Sequence, residues 1–269
     1  MKKVCVITGG GSGMGLAAAK IIGKDHFVFI AGRSVKKLEN AIAGLHAEGV
    51  EAEAVPCDIL DRGSVEKLAR RAKEKGTVAS VIHSAGMSPS MGDAHNIMEV
   101  NALGTININE AFYEVMEAGS CIIDIASMSA YLFPEMLLPK RAFQYSRTSQ
   151  AVFMKKMMAR VNLFPRKVRP GVSYAISKNF VIWYAKTDAG KFGRKGIRVL
   201  SVSPGFFDTA MGNLEKDDAE KFLEYSALNR LGKVEEIGSL LAFCASDRPG
   251  YLTGTDILCD GGCIAGQRK

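Results

Sequence analysis

Thr8-Gly9-Gly10-Gly11-Ser12-Gly13-Met14-Gly15, TGGGSGMG, follows the apolar run 3–8 and precedes an alanine-rich helical stretch. Gly9, Gly13 and Gly15 give a G-x-x-x-G-x-G spacing. Glycines there permit a tight turn and let backbone N–H groups come close to a pyrophosphate at a helix N-terminus. A glycine-rich loop by itself is often only a turn. One placed between a first strand and a first helix points to dinucleotide binding.

Outward from this loop, β-branched apolar runs alternate with helical patterns. Strands are expected at 3–8, 27–31, 53–56, 78–83, 121–126, 197–202 and 255–259. Helical spacing fills 14–23, 35–47 and 63–75 between the early ones. Strands that are apolar on both sides, separated by helices, predict an α/β fold with a doubly wound, Rossmann-type parallel sheet. No repeat, linker or domain boundary interrupts the 269 residues, so one domain with a single insertion is expected. The basic then apolar start MKKVCVITGG is too short for a signal peptide and reads as a strand. No stretch has the length of a membrane span.

Cys5, Cys57, Cys121, Cys244, Cys259 and Cys263 lie mostly in apolar runs, without companion residues at metal-ligand spacing. Free thiols and a cytoplasmic location follow as expectations, and no metal site is expected. The net charge of +7 raises the question of nucleic acid. Its distribution argues against that, because residues 131–170 hold nine Lys or Arg and one acid, Glu135, while the rest is slightly acidic.

Residues 29–34 read FIAGRS. An acid at this second strand end would bond the adenosine ribose and favour NAD(H). Gly32, Arg33 and Ser34 stand there instead, and a guanidinium suits a 2′-phosphate. NADP(H) is therefore the expected cofactor, with NAD(H) left open. Asp58 in PCDIL can accept from the adenine amino group, or cap the next turn. In YAISK, Tyr174 and Lys178 are four apart and share a helix face. A cation beside a phenol favours the phenolate and brings the tyrosine into the range of acid–base catalysis.

The chain resembles the short-chain dehydrogenase/reductase superfamily over essentially its whole length. The matching stretches, in order, are the glycine loop, Asp58, HSAG 83–86, VNALGT 100–105, IASMSA 125–130, YAISK 174–178, SPGFFDT 203–209 and YLTGTDILCDGG 251–262. The resemblance implies a seven-stranded parallel sheet and interconversion of a secondary alcohol and a ketone. It implies that Tyr174 is the general acid or base, that Lys178 lowers its pKa and bonds the nicotinamide ribose, and that Ser127 orients the substrate oxygen. Asn101 anchors a water that links Lys178 to solvent. Ser127 aligns better than Ser129, which is the fallback. Cofactor contacts are implied for Gly9, Ser12, Gly13, Met14, Gly15, Arg33, Ser34, Asp58, Ile59, Ser84, Ala85, Gly86, Tyr174, Lys178, Pro204, Gly205, Phe207 and Thr209. Family members most often carry two asparagines where His83 and Ser84 stand; His83 reads as a strand-end residue. Oligomers are usual in the family, so a homodimer or homotetramer is expected.

Ser127 and Tyr174 are 47 residues apart, much further than is usual in the family. The extra chain, 131–170, must emerge near the mouth of the site. That arrangement is similar to bacterial 3α-hydroxysteroid dehydrogenase/carbonyl reductases. Residues 150–161 read as an amphipathic helix with Val152, Phe153, Met157 and Val161 near one face. Met and Phe suit an apolar substrate pocket, and Lys155, Lys156 and Arg160 suit an anion, as a bile acid would supply. A lid or subunit interface with a solvated basic face is the other reading, and a smaller ketone, sugar or acyl thioester the other substrate class. A dinucleotide-sensing regulator is the non-enzymatic alternative, although such proteins tend to lose Tyr or Lys from the set kept here.

Overall fold

Strand β1 (Lys3–Thr8) lies inside a seven-stranded parallel sheet in the computed structural model, which describes residues 3–209 and 224–266. The other strands are β2 (Phe27–Gly32), β3 (Ala52–Pro56), β4 (Thr77–His83), β5 (Cys121–Ile125), β6 (Arg198–Pro204) and β7 (Asp256–Cys259). Their order across the sheet is β3-β2-β1-β4-β5-β6-β7. Every residue of β5 and β6 is buried, as expected of strands covered on both faces.

Helices α1 (Gly13–Ile22), α2 (Val35–Ala47) and α3 (Arg62–Lys75) follow the first three strands. After β4 come α4 (Ala94–Met98), a widened π-helical turn (Glu99–Leu103) and α5 (Gly104–Val115). One face of the sheet packs α1, α2 and α10 (Val234–Ala245) through residues such as Ile7, Ala18, Leu38 and Ile237. The other face packs α3, α5 and α9 (Arg169–Gly193) through Val6, Leu68, Phe112 and Ala185. Strand order reverses at β1, and ligands of such sheets bind beyond the carboxyl ends at that reversal.

The segment 131–170 begins inside a short helix, α6 (Ser129–Leu132), and continues through α7 (Lys140–Phe143) and α8 (Gln150–Val161). Its last two residues, Arg169 and Pro170, already belong to the first turn of α9. Phe143, Phe153, Met157 and Val161 are fully buried, in a third core formed with Met98, Ile176 and Phe180 of α4 and α9. Phe153 meets Phe180 at 4.8 Å between ring centres. The inward stripe of α8 is therefore Phe153, Met154, Met157 and Val161. Val152, expected on that face, is 37% exposed, and Met154, three positions before Met157, lies on it instead. None of the six cysteines is joined in a disulfide.

Candidate active site

The glycine loop shows why its residues are small. Gly9 has φ of +69°, and a Cβ there would stand 2.8 Å from Ala85 N. Gly15 packs against Gly9, with a built Cβ 3.0 Å from the Gly9 carbonyl oxygen. The loop thus lies directly against the end of β4. Ser12 precedes α1 without making a side-chain cap, and the first turn carries no acid. Neither the Ser12 side chain nor an acid of the first turn takes up the N–H groups there.

A cleft of about 480 Å³ opens beyond the carboxyl ends of β1, β4, β5 and β6. One half is lined by Gly9, Ser12, Gly13, Met14, Arg33, Asp58, Ile59, Ser84, Ala85 and Gly86. Pro204, Gly205, Phe207 and Thr209 close its far side. Ser127, Tyr174 and Lys178 reach it from β5 and α9. Ser34 borders an adjoining mouth with Arg33 and Lys37, where no acid is among the lining residues. A concave edge of glycine backbone, an uncapped helix start and two cations make a donor set that fits a dinucleotide diphosphate and a 2′-phosphate. Asn101 and Gly15 are not part of the lining. Gly15 serves the loop's packing, and Asn101 is held behind the wall.

Asn101 lies in the π-helical turn and is 1% exposed. Its Oδ1 accepts from Met87 N at 2.9 Å, and its Nδ2 donates to Met87 O at 3.0 Å and Ser177 Oγ at 3.2 Å. Ser177 Oγ in turn donates to the carbonyl oxygen of Tyr174 at 2.8 Å. Asn101 thereby ties the loop after β4 to the helix that carries Tyr174 and Lys178.

Lys178 is 6% exposed, and its Nζ donates to Ile125 O at 2.7 Å. Burial brings its pKa down to about 8, while the negative charge of Asp124 works the other way. Nζ also lies 5.9 Å from the centre of the Tyr174 ring. Ser127, at the end of β5, accepts from Ser129 Oγ at 3.1 Å and from Ser129 N at 3.2 Å. With both donors aimed at it, the Ser127 hydroxyl proton is free to point into the cleft.

His83 sits beside Thr8, with its Nδ1 2.7 Å from the Thr8 hydroxyl. Thr8 Oγ1 also accepts from Ala85 N at 3.3 Å, so Thr8 joins the imidazole to the loop after β4. Burial, aided by Lys178, holds the ring neutral with a pKa down to about 3. Asp58 Oδ1 accepts from Leu60 N at 3.0 Å, so Asp58 shapes its turn as well as lining the cleft.

Several lining residues were given no role by the sequence. Met87, Ser88, Pro89, Met91, Met128, Leu132, Gly171 and Phe206 surround the end of the cleft nearest Ser127 and Tyr174. Lys37, four positions past Arg33 in the first turn of α2, was legible as a second cation and went unread. The cations of α8 lie elsewhere: Lys156 and Arg160 line an open groove with Lys140, Arg141 and Tyr145. Among the described residues, no group of three or more His, Cys, Asp or Glu is placed to hold a metal, and no helix is long and apolar enough to cross a membrane.

A family model described as short chain dehydrogenase matches residues 3–169, and one described as enoyl-(acyl carrier protein) reductase matches residues 166–263. Among curated proteins, an uncharacterized oxidoreductase of Bacillus subtilis, YxbG, is 28% identical over 98% of this chain and 91% of its own. The 3-oxoacyl-(acyl-carrier-protein) reductase FabG of Thermotoga maritima is 26% identical over 97% of this chain and 98% of its own. The meso-2,3-butanediol dehydrogenase of Serratia marcescens is 27% identical over 99% of this chain and 97% of its own. Among solved structures, a short chain dehydrogenase from Burkholderia cenocepacia in complex with NADP superposes with a TM-score of 0.77 at 24% identity, covering 97% of both chains.

Proposed function

The chain belongs to the short-chain dehydrogenase family, and from that premise we propose that it is an NADP(H)-dependent oxidoreductase interconverting a secondary alcohol and a ketone. The observation that carries the reading is the meeting of Ser127, Tyr174 and Lys178 on one cleft with the glycine loop. When bound, the nicotinamide supplies or accepts the hydride. The chain supplies geometry and the proton. Tyr174 gives its phenolic proton to the carbonyl oxygen in reduction and takes it back in oxidation. Ser127, fed by Ser129, donates to the same substrate oxygen and fixes its direction. Lys178 places a positive charge beside the phenol. Asn101 holds the loop and helix in register.

Support for NADP(H) over NAD(H) comes from Arg33, Ser34 and Lys37 around a mouth without a lining acid, and from a relative in the fold that binds NADP. For the substrate we propose a hydrophobic ketone or secondary alcohol, with a hydroxysteroid as its leading member. The thioether, aliphatic and aromatic surface of Met87, Met91, Met128, Leu132 and Phe206 supports an apolar body. Described cations of α8 are absent from that lining, so an anionic tail draws no support from them. A second reading, a smaller diol, sugar or acyl thioester, is favoured by the names of the relatives.

Tyr174→Phe tests the chemistry. Turnover should fall about 10²- to 10⁴-fold with cofactor binding retained, the size expected for losing a positioned acid or base. Survival of turnover would remove the general-acid assignment to Tyr174, whereas no turnover by the unaltered protein with any substrate or cofactor would favour a dinucleotide-sensing role. A steady-state screen of hydroxysteroids, small diols, sugars and acyl thioesters with both cofactors decides the substrate class.

A further inference from the structure

We propose that Asp124 is a positioning residue of this active site, a buried counter-charge that keeps the Lys178 ammonium protonated and seated on the Ile125 carbonyl. The inference rests on the role given to Lys178 above.

Asp124 precedes Ile125 on β5, and the Ile125 carbonyl is the atom to which Lys178 Nζ donates. The Asp124 side chain is fully buried on the face covered by α5, where Asn109 Nδ2 donates to its two oxygens at 2.9 and 3.1 Å. That hydrogen bond is the larger influence favouring the charged carboxylate, and an opposite charge nearby adds to it.

The surroundings narrow the choice of partner. Across the sheet in register stand His83 of β4, held neutral, and Ser201 of β6. From α5 comes Asn109. From α9 come Lys178, Asp188 and Tyr184, whose phenol burial keeps neutral, and Asp188 is already paired with Arg147 at 2.5 Å. Lys178 is the remaining cation of this set. The two charges restrain each other. Burial pushes Asp124 up to about 7 and Lys178 opposes that shift, just as Asp124 opposes the fall of Lys178 to about 8.

Asp124 is also bonded to the turn that carries Asn101. Asn109 Nδ2 donates to Thr105 O at 3.0 Å, and Thr105 Oγ1 donates to Asn101 O at 2.7 Å. The carboxylate therefore anchors both the charge of Lys178 and the frame behind it. No motif singles it out, because an acid in an apolar strand reads as an isolated irregularity.

The test follows the side-chain resonance of Lys178 by NMR in cofactor-free protein carrying isotope-labelled lysine, assigned by its loss in Lys178→Met. In Asp124→Asn the titration midpoint should fall by about one pH unit, a tenfold change in proton affinity. The alkaline limb of the kcat profile should move down with it. Asn109→Ala strips the donor from the carboxylate, favours its protonation, and should move the midpoint the same way by less. The wild-type resonance should itself show a second, smaller inflection near pH 7, where Asp124 ionises. This last measurement decides the matter even where neither variant folds. An unmoved midpoint in folded Asp124→Asn, a loss of kcat equal at every pH, or a wild-type curve with one inflection would each overturn the proposal. Because the titration needs no substrate, active Tyr174→Phe would sink the acid–base role given to Tyr174 and leave this result standing.

Discussion

Ser129 is the fallback serine of the sequence reading, and its hydrogen bonds give it a distinct task. It donates to Ser127 through both its hydroxyl and its backbone N–H. Ser129→Ala should lower kcat about fivefold, the worth of one ordinary hydrogen bond, while Ser127→Ala should lower it far more. Equal losses would mean that the two serines share the substrate oxygen. At the other end of the cleft, Arg33→Ala and Lys37→Ala should each raise the KM for NADP(H) about tenfold or more and leave that for NAD(H) nearly unchanged. That is the scale of a lost charge-assisted contact to phosphate. Equal losses with both cofactors, read from steady-state kinetics, would remove the 2′-phosphate assignment.

Among the elements, those of the Rossmann half were the most legible. Residues 3–8, 35–47 and 150–161 were expected with the bounds observed, because their apolar periodicity and turn residues agree. What the sequence hid was the destination of the α8 side chains. An amphipathic stripe of Met and Phe looks the same whether it meets a ligand or another helix. Phe153 and Met157 meet α9, and the aromatic set Phe143, Phe153, Phe180, Trp183 and Tyr184 forms the joint. Arg147 adds a clamp, donating to Asp188 at 2.5 Å and lying 5.2 Å from the Trp183 ring. The motif residues of the site were legible because each chemistry needs its residue type. Asp124 and the apolar lining were not, since their meaning depends on neighbours far away in sequence. Phe153→Ala should cost about 3–5 kcal/mol of stability, measured by urea unfolding, as expected for an emptied aromatic site. Its kcat should fall as well, because the cavity lies against the back of the helix bearing Tyr174.

At the scale of the whole molecule, three buried groups around the cleft contribute to stability with pH dependences of opposite sign. His83 falls from 6.5 to about 3 on folding, so the unfolded chain binds more protons between those values and His83 makes stability rise with pH. Asp124 rises from 3.8 to about 7, so the folded chain holds the extra proton and stability falls with pH over nearly the same window. The two oppose each other, and the cofactor-free protein should be nearly flat on their account from about pH 4 to 6.5. Asp124→Asn should leave the His83 slope uncovered, so that urea midpoints climb across that range. Above it, Lys178 titrates near 8 instead of 10.5 and should make stability rise between pH 8 and 9, beyond which the buried thiols of Cys5 and Cys121, pushed up from 9 to about 12, work the other way. A last consequence follows from α9 starting within the inserted segment and burying that segment's aromatic residues. A lid must open while the catalytic machinery stays folded. This segment has no hydrophobic centre of its own apart from α4, α5 and α9, so it melts, exchanges its amide protons and yields to proteases in one cooperative step with α9.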